Sequence, residues 1–243
     1  MTARIAYFHG LPGGPGEWFH FAPAQMQESA VVPDRNAGVT SAELAAGLAD
    51  DGWTLIGFSL GAPVALQVAA LLGDRVEAVH LISPAGPLQL GDFLPSMAGG
   101  PLFRMANARP RLFAAVAMAE SMIARRAPRW LLARLMAGAA GADRALAADP
   151  AFIAAMGEVL RSGLGRSGAG FIAEVIAYVG DWRAVLDQVT APVTIWQGDA
   201  DTWTPPAMAR ALHAALRGEP VLNMVPGASH YSTLHEALPR IAT

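Results

Sequence analysis

The chain has 243 residues, 53% of them apolar, and a formal net charge of −3. It is long enough to bury a sizeable core in one α/β domain, with or without an insertion, and it lacks the basic surplus that holds nucleic-acid backbones. With no cysteine, disulfides, thiolate metal sites and a cysteine nucleophile are excluded, and the absence fits a reducing, cytoplasmic setting.

Residues 1–10 carry one arginine and few apolar residues before His9, with no recognisable secretory signal. Residues 5–8 read as a strand ending at His9-Gly10-Leu11-Pro12-Gly13-Gly14-Pro15-Gly16. Residues 30–32 form a short strand stopped by Pro33. Ser41 is placed to cap a helix running to about Asp50, because a hydroxyl there accepts an otherwise orphaned backbone N–H. Residues 53–73 carry no charge over 21 positions, enough to span a bilayer. Gly57, Ser59, Gly61 and Pro63 interrupt the run, however. A buried strand over 53–57, a sharp turn and a buried helix over 62–72 explain it better, with Pro63 in the helix's first turn. No membrane partner is expected. Residues 76–82 are the next strand, and the alternation of strands and helices predicts a mainly parallel sheet.

From about residue 87 to residue 178 no strand pattern occurs, and Ala, Met and Leu dominate. Helices are predicted over 111–126 and 129–136, parted by Pro128. Phe152, Ile153, Met156, Val159 and Leu160 recur at helical spacing, as do Phe171, Ile172, Val175, Ile176 and Val179. Strands return at 193–197 and 221–225. Between them Thr204 and Pro205 open a helix as N-cap and first helical residue, and a last helix starts near Tyr231. The expected organisation is one folding unit, a core of residues 1–86 and 181–243 carrying a helical lid at 87–180.

Gly57-Phe58-Ser59-Leu60-Gly61 fits Gly-X-Ser-X-Gly. The pentapeptide alone is a weak signal, but here it joins a buried strand to a buried helix. That context forces the serine into a strained turn, exposes its hydroxyl at the carboxyl end of the sheet and aims the helix N-terminus at developing negative charge. Gly163-Leu164-Gly165-Arg166-Ser167-Gly168 fits a dinucleotide-binding pattern, yet a helical segment precedes it and no ribose carboxylate follows. It is read as a helix-to-helix connection.

Through these features the chain resembles the α/β-hydrolase superfamily, from Ile5 to the C-terminus apart from the helical middle. The resemblance implies an α/β-hydrolase fold, a mostly parallel sheet with helices on both faces and an inserted helical lid. It departs in having no room for strands before the His-Gly loop, so a sheet of about six strands is expected. His9-Gly10-Leu11-Pro12-Gly13 is similar to the family's His-Gly-X-X-Gly loop. This implies oxyanion N–H donors at Leu11 and at Leu60, the residue after the nucleophile Ser59. Pro12 has no N–H to give, and His9 is read as structural.

Of the other histidines, His80 lies in an apolar strand, His213 shares a helix face with Arg210 and Arg217, His235 flanks an apolar stripe, and His20 follows Trp18-Phe19 near a prospective pocket. His230, in Pro226-Gly227-Ala228-Ser229-His230 after the last strand, stands where the resemblance puts the general base. Gly198-Asp199-Ala200-Asp201-Thr202-Trp203-Thr204-Pro205 resembles the family's acid loop and selects Asp201, with Asp199 as a rival read as a turn carboxylate.

The implied activity is hydrolysis of a small carboxylic ester through an acyl-enzyme, without metal or organic cofactor. Cleavage of a carbon–carbon bond, lactone or thioester is the alternative, and a haloperoxidase-like activity or a non-catalytic ligand-binding role also stays open. The expected partner is a small molecule with an apolar portion, met by some of the lid's Met and Phe side chains together with Trp18, Phe19 and Phe58.

Overall fold

Short runs of apolar and β-branched residues build the sheet, and what lies between them sets its connections. The computed structural model describes residues 4–165 and 167–242. The first three positions of the segment searched for a secretory signal, and Arg166 of the dinucleotide-like pattern, lie outside the described residues. Strand β1 (Arg4–Phe8) is followed by α1 (Gly16–Phe21), α2 (Ala24–Gln27), β2 (Ala30–Val31), α3 (Ser41–Gly47), β3 (Trp53–Phe58), α4 (Gly61–Leu72) and β4 (Val76–Ile82). Then come α5 (Gly100–Ala108), α6 (Pro110–Arg126), α7 (Pro128–Leu135), α8 (Asp143–Ala148), α9 (Pro150–Gly165) and α10 (Ala169–Val179), with no strand among the described residues of this stretch. The chain closes with β5 (Val193–Gly198), α11 (Pro206–Ala215), β6 (Val221–Val225) and α12 (His230–Ile241).

Among the described residues the sheet has six strands in the order β2-β1-β3-β4-β5-β6, and every neighbouring pair is parallel. The number matches the shortened sheet expected from the missing early strands. All six residues of β3 are buried, as a central parallel strand covered on both faces requires. Helix α4 packs on β1, β3 and β4, burying Ala62, Ala65, Leu66, Val68 and Ala69. Residues 53–73 are therefore strand, turn and core helix, and no helix among the described residues is long and apolar enough to cross a membrane.

Two helix starts differ from expectation. Helix α3 is capped by Thr40, not Ser41, in a reciprocal box in which Thr40 Oγ1 accepts the Glu43 N–H and Glu43 accepts the Thr40 N–H. The Thr-X-X-Glu spacing satisfies two orphan groups together, and the Ser41 hydroxyl instead donates to Gln67 at 2.6 Å. The helix ends at Gly47, short of Asp50. Helix α11 starts at Pro206 because Pro206 drives Pro205 into an extended conformation (ψ 148°). Thr204 is left outside the helix, and its hydroxyl donates to the Ser83 carbonyl at 3.0 Å.

The helices between β4 and β5 pack mainly on one another, with α9 against α6 and α7. They meet the rest of the fold through α9 on α1, α8 on α12 and α10 on the 35–37 turn, among other contacts. Gly163 of the dinucleotide-like pattern lies in α9, where a Cβ would collide with the Gly13 backbone. Its role is close packing against the His-Gly loop.

Candidate active site

Ser59 sits between β3 and α4 at φ +53°, in the left-handed region that side-chain-bearing residues avoid. Its N–H donates to the Ile82 carbonyl at 3.0 Å, and its carbonyl accepts from Ala62 and Ala85, both at 3.1 Å. The flanking glycines are sterically required. A Cβ on Gly57 would lie 2.7 Å from Ala62 Cα, and one on Gly61 would enter the Phe8 carbonyl. The motif thus has a packing reason for each glycine and a backbone strained at its serine.

The loop after β5 brings Asp201 and the loop after β6 brings His230 to the same end of the sheet. His230 Nδ1–H donates to Asp201 Oδ2 at 2.9 Å. The other oxygen, Oδ1, accepts the Trp203 N–H at 2.8 Å and the Thr204 N–H at 3.0 Å. Burial pushes the Asp201 carboxyl up, but the His230 charge and these hydrogen bonds hold it below its ordinary value. Burial likewise opposes the charged His230 ring, yet Asp201, then Asp143 and Glu17, leave its pKa raised. The rival carboxylate, Asp199, accepts the Gly227 N–H at 2.8 Å on the exterior.

The His-Gly loop is held from behind. Glu17 is fully buried and accepts the Tyr7 hydroxyl at 2.6 Å and the Gly10 N–H at 2.9 Å. Burial raises its carboxyl to about 7 against the pull of both hydrogen bonds. His9 donates Nδ1–H to the Gly10 carbonyl at 2.8 Å, and burial lowers its pKa to about 3, so it is a neutral structural ring. Among the described residues neither the Leu11 N–H nor the Leu60 N–H donates a hydrogen bond. Two unspent donors therefore adjoin Ser59.

Ser59 lies at the junction of two small chambers. One, of about 40 Å³, is lined by Ser59, His230, Phe58 and Tyr231 on the sheet side and by Met136 and Met156 from the helical insert. The other, of about 60 Å³, is lined by Ser59, Leu60 and Thr204 and by Met97, Phe103 and Phe171. Leu11, Pro12 and Trp203 border both. A larger cavity of about 290 Å³ adjoins Leu11 and Leu60.

A family model described as serine aminopeptidase, S33, matches residues 31–237. The chain belongs to this family of α/β-hydrolases. No curated protein matches it. A bromoperoxidase from Bacillus anthracis has the same fold at 17% identity, with a TM-score of 0.65 over 99% of this chain and 91% of that one. A thermophilic esterase from Thermogutta terrifontis is 17% identical, with a TM-score of 0.66 over 99% and 86%. The enol-lactonase from Burkholderia xenovorans is 17% identical, with a TM-score of 0.64 over 100% and 89%. At such identities these likenesses establish the fold, and the α/β-hydrolase's own side chains must carry the chemistry.

In this α/β-hydrolase, Ser59, Asp201, His230, Leu11 and Leu60 all come to one end of the sheet. The remaining histidines do not join them. His213 donates to the Pro220 carbonyl, His80 is pushed by burial to about 4, and His20 packs its exposed ring on Phe21 and Phe152. Of the aromatic residues expected to contribute, Phe58 lines a chamber, Trp18 is core and Phe19 is exposed. The insert's methionines divide similarly, with Met118 and Met122 on the outside. Sequence reasoning missed Glu17, Asp143 and Trp203. Trp203 lies within the acid-loop motif, and its bulk beside Asp201 was the signal available.

Proposed function

We propose that the protein is a serine hydrolase that cleaves a small carboxylic ester through an acyl-enzyme, with Ser59 as nucleophile, His230 as base and Asp201 as the acid that orients the ring. One juxtaposition carries this reading. Ser59, on its strained turn, faces the same chamber as His230, whose Nδ1 is bound to a buried carboxylate. In the first step His230 Nε2 takes the Ser59 proton as Oγ attacks the ester carbonyl. Asp201 fixes the tautomer and stabilises the imidazolium. The Leu11 and Leu60 N–H groups receive the oxyanion, each worth about 3 kcal/mol in the barrier. Collapse expels the alcohol with the proton from His230. Water, deprotonated by the same ring, then releases the acid. The sequence of steps calls on no metal or organic cofactor.

The two apolar chambers on either side of Ser59 support a substrate with short apolar groups flanking its carbonyl, under a lid formed by the helical insert. A lactone is the second substrate class, supported by the fold shared with an enol-lactonase. The lack of cysteine supports a cytoplasmic setting. A fluorophosphonate probe tests the reading. A stoichiometric adduct on Ser59, lost in Ser59→Ala, supports it, and a folded wild type that takes no label points to a ligand-binding role instead. A panel of esters, lactones and diketones against both proteins then assigns the bond.

A further inference from the structure

A second carboxylate lies at the N-terminus of α12. Asp143, the first residue of α8 in the insert, is 1% exposed. Its Oδ2 accepts the Tyr231 N–H at 3.0 Å, and its Oδ1 accepts the Ser232 N–H at 2.7 Å and the Ser232 hydroxyl at 2.6 Å. That hydroxyl in turn accepts the Ser229 N–H at 2.7 Å. The residues on both sides of His230 are thus tied, directly or through one hydroxyl, to a single side chain from another element. The segment leading into Asp143 is also docked. Ala142 N–H donates to the Gly227 carbonyl at 2.9 Å. A Cβ on Gly141 (φ +51°) would fall 2.5 Å from the Gly227 carbonyl and 2.9 Å from Ala200 Cβ, so the insert touches the loops of both His230 and Asp201.

The location has an electrostatic consequence. His230 is the first residue of α12, and the partial positive charge of a helix N-terminus disfavours a cation there. The reaction proposed above needs an imidazolium at that place. A carboxylate bound to N–H groups of the same turn opposes that field. We infer that Asp143 is a positioning residue for His230, fixing the turn that carries the base and supporting the imidazolium formed when Ser59 gives up its proton. The inference rests on the serine-hydrolase reading. The charged and titratable groups facing the ring are Asp201 from the loop after β5, Asp143 from α8, Glu17 from α1 and Tyr231 beside it. Phe58 and Trp203 pack on the ring as neutral neighbours. Against the burial penalty, the three carboxylates raise the pKa of His230.

The test is the pH dependence of the fluorophosphonate labelling rate in the full-length wild type, Asp143→Asn and Ser232→Ala. Asp143→Asn removes the charge and keeps the shape. Its ascending limb should move down by about half a pH unit to one unit, with a plateau about ten-fold lower. Ser232→Ala keeps the charge and should leave the limb where it is in the wild type. A limb unmoved in folded Asp143→Asn overturns the inference, even if the plateau falls, because a purely structural cap predicts that pattern. Absence of labelling in the wild type removes the serine-hydrolase reading itself and the inference with it. Should Asp143→Asn not fold, Asp143→Ser, which leaves room for water to cap the same N–H groups, is read in the same way.

Discussion

Glu17 reaches back from the first turn of α1 to accept the Gly10 N–H at 2.9 Å, bracing from behind the loop that carries Leu11. Its carboxyl is raised by burial from 4.5 to about 7. The folded chain therefore keeps a proton on Glu17 that the unfolded chain gives up. Stability should fall as pH rises between about 4.5 and 7, by an amount on the order of 3 kcal/mol. Glu17→Gln should flatten that slope, as denaturant titrations at pH 5 and pH 8 would reveal. An unchanged slope would mean that another group controls it.

Ser59→Gly should abolish turnover and raise stability. A glycine at φ +53° releases backbone strain that a side-chain-bearing residue holds, and the relief outweighs the extra freedom of the unfolded chain by about 1 kcal/mol. Chemical denaturation measures the change, and a less stable variant would show that no strain is held there.

Asp201→Asn should lower kcat/KM by about 10⁴-fold. The pH profile gives a second readout. The base works as neutral imidazole, and the pKa of His230 is raised above its ordinary 6.5, so the ascending limb of the wild type lies above that value. Loss of the Asp201 charge removes the upward push, and the limb moves to lower pH. A limb displaced upward would contradict the assignment of the base.

Trp203→Ala should join the two chambers that Trp203 borders. Esters with a longer or branched acyl group should gain in kcat/KM relative to acetates, while labelling of Ser59 persists. A parallel decline for all chain lengths would argue that the Trp203 ring serves only to pack on His230, since the backbone N–H that Asp201 Oδ1 accepts survives the substitution.

Gly61→Ala should be the most damaging of the glycine substitutions at the motif, because the added carbon would enter the Phe8 carbonyl on the neighbouring strand. The cost is about 3 kcal/mol, visible as a lowered midpoint of denaturation. A midpoint equal to that of the wild type would show that the turn can shift to make room.

The sheet was legible in the sequence because β3 is covered on both faces and so reads as an unbroken apolar run, while the glycines around Ser59 mark the turn through steric need alone. Asp201 and His230 each lie on a loop directly after a strand, but it was the resemblance of those loops to the α/β-hydrolase pattern, not local physics, that picked them out for their proposed roles. Asp143 was not legible. Its three hydrogen bonds go to residues nearly ninety positions away, and no local pattern around it announces that docking. The insert shows the same limit. Helical spacing identifies which methionines face inward or outward only when the partner surface is known, so Met136 and Met156 at the chamber and Met118 and Met122 in solvent share one compositional signature. The Thr40 cap was missed because Ser41 beside it satisfied the same local rule.

The strands that bracket the insert, β4 and β5, are neighbours in the sheet, with Val79 opposite Val193. Because this pair is parallel, the chain leaves at the carboxyl end of β4 and crosses to the amino end of β5. The helical segment therefore lies within a single crossover connection, and lengthening it adds only a slowly growing entropic cost. Such an arrangement lets the ceiling of the substrate chambers be rebuilt over an unchanged floor. The tether at Asp143 limits that freedom: a transplanted ceiling would need to bring its own anion to the first turn of α12, or leave the base beneath it loosely held.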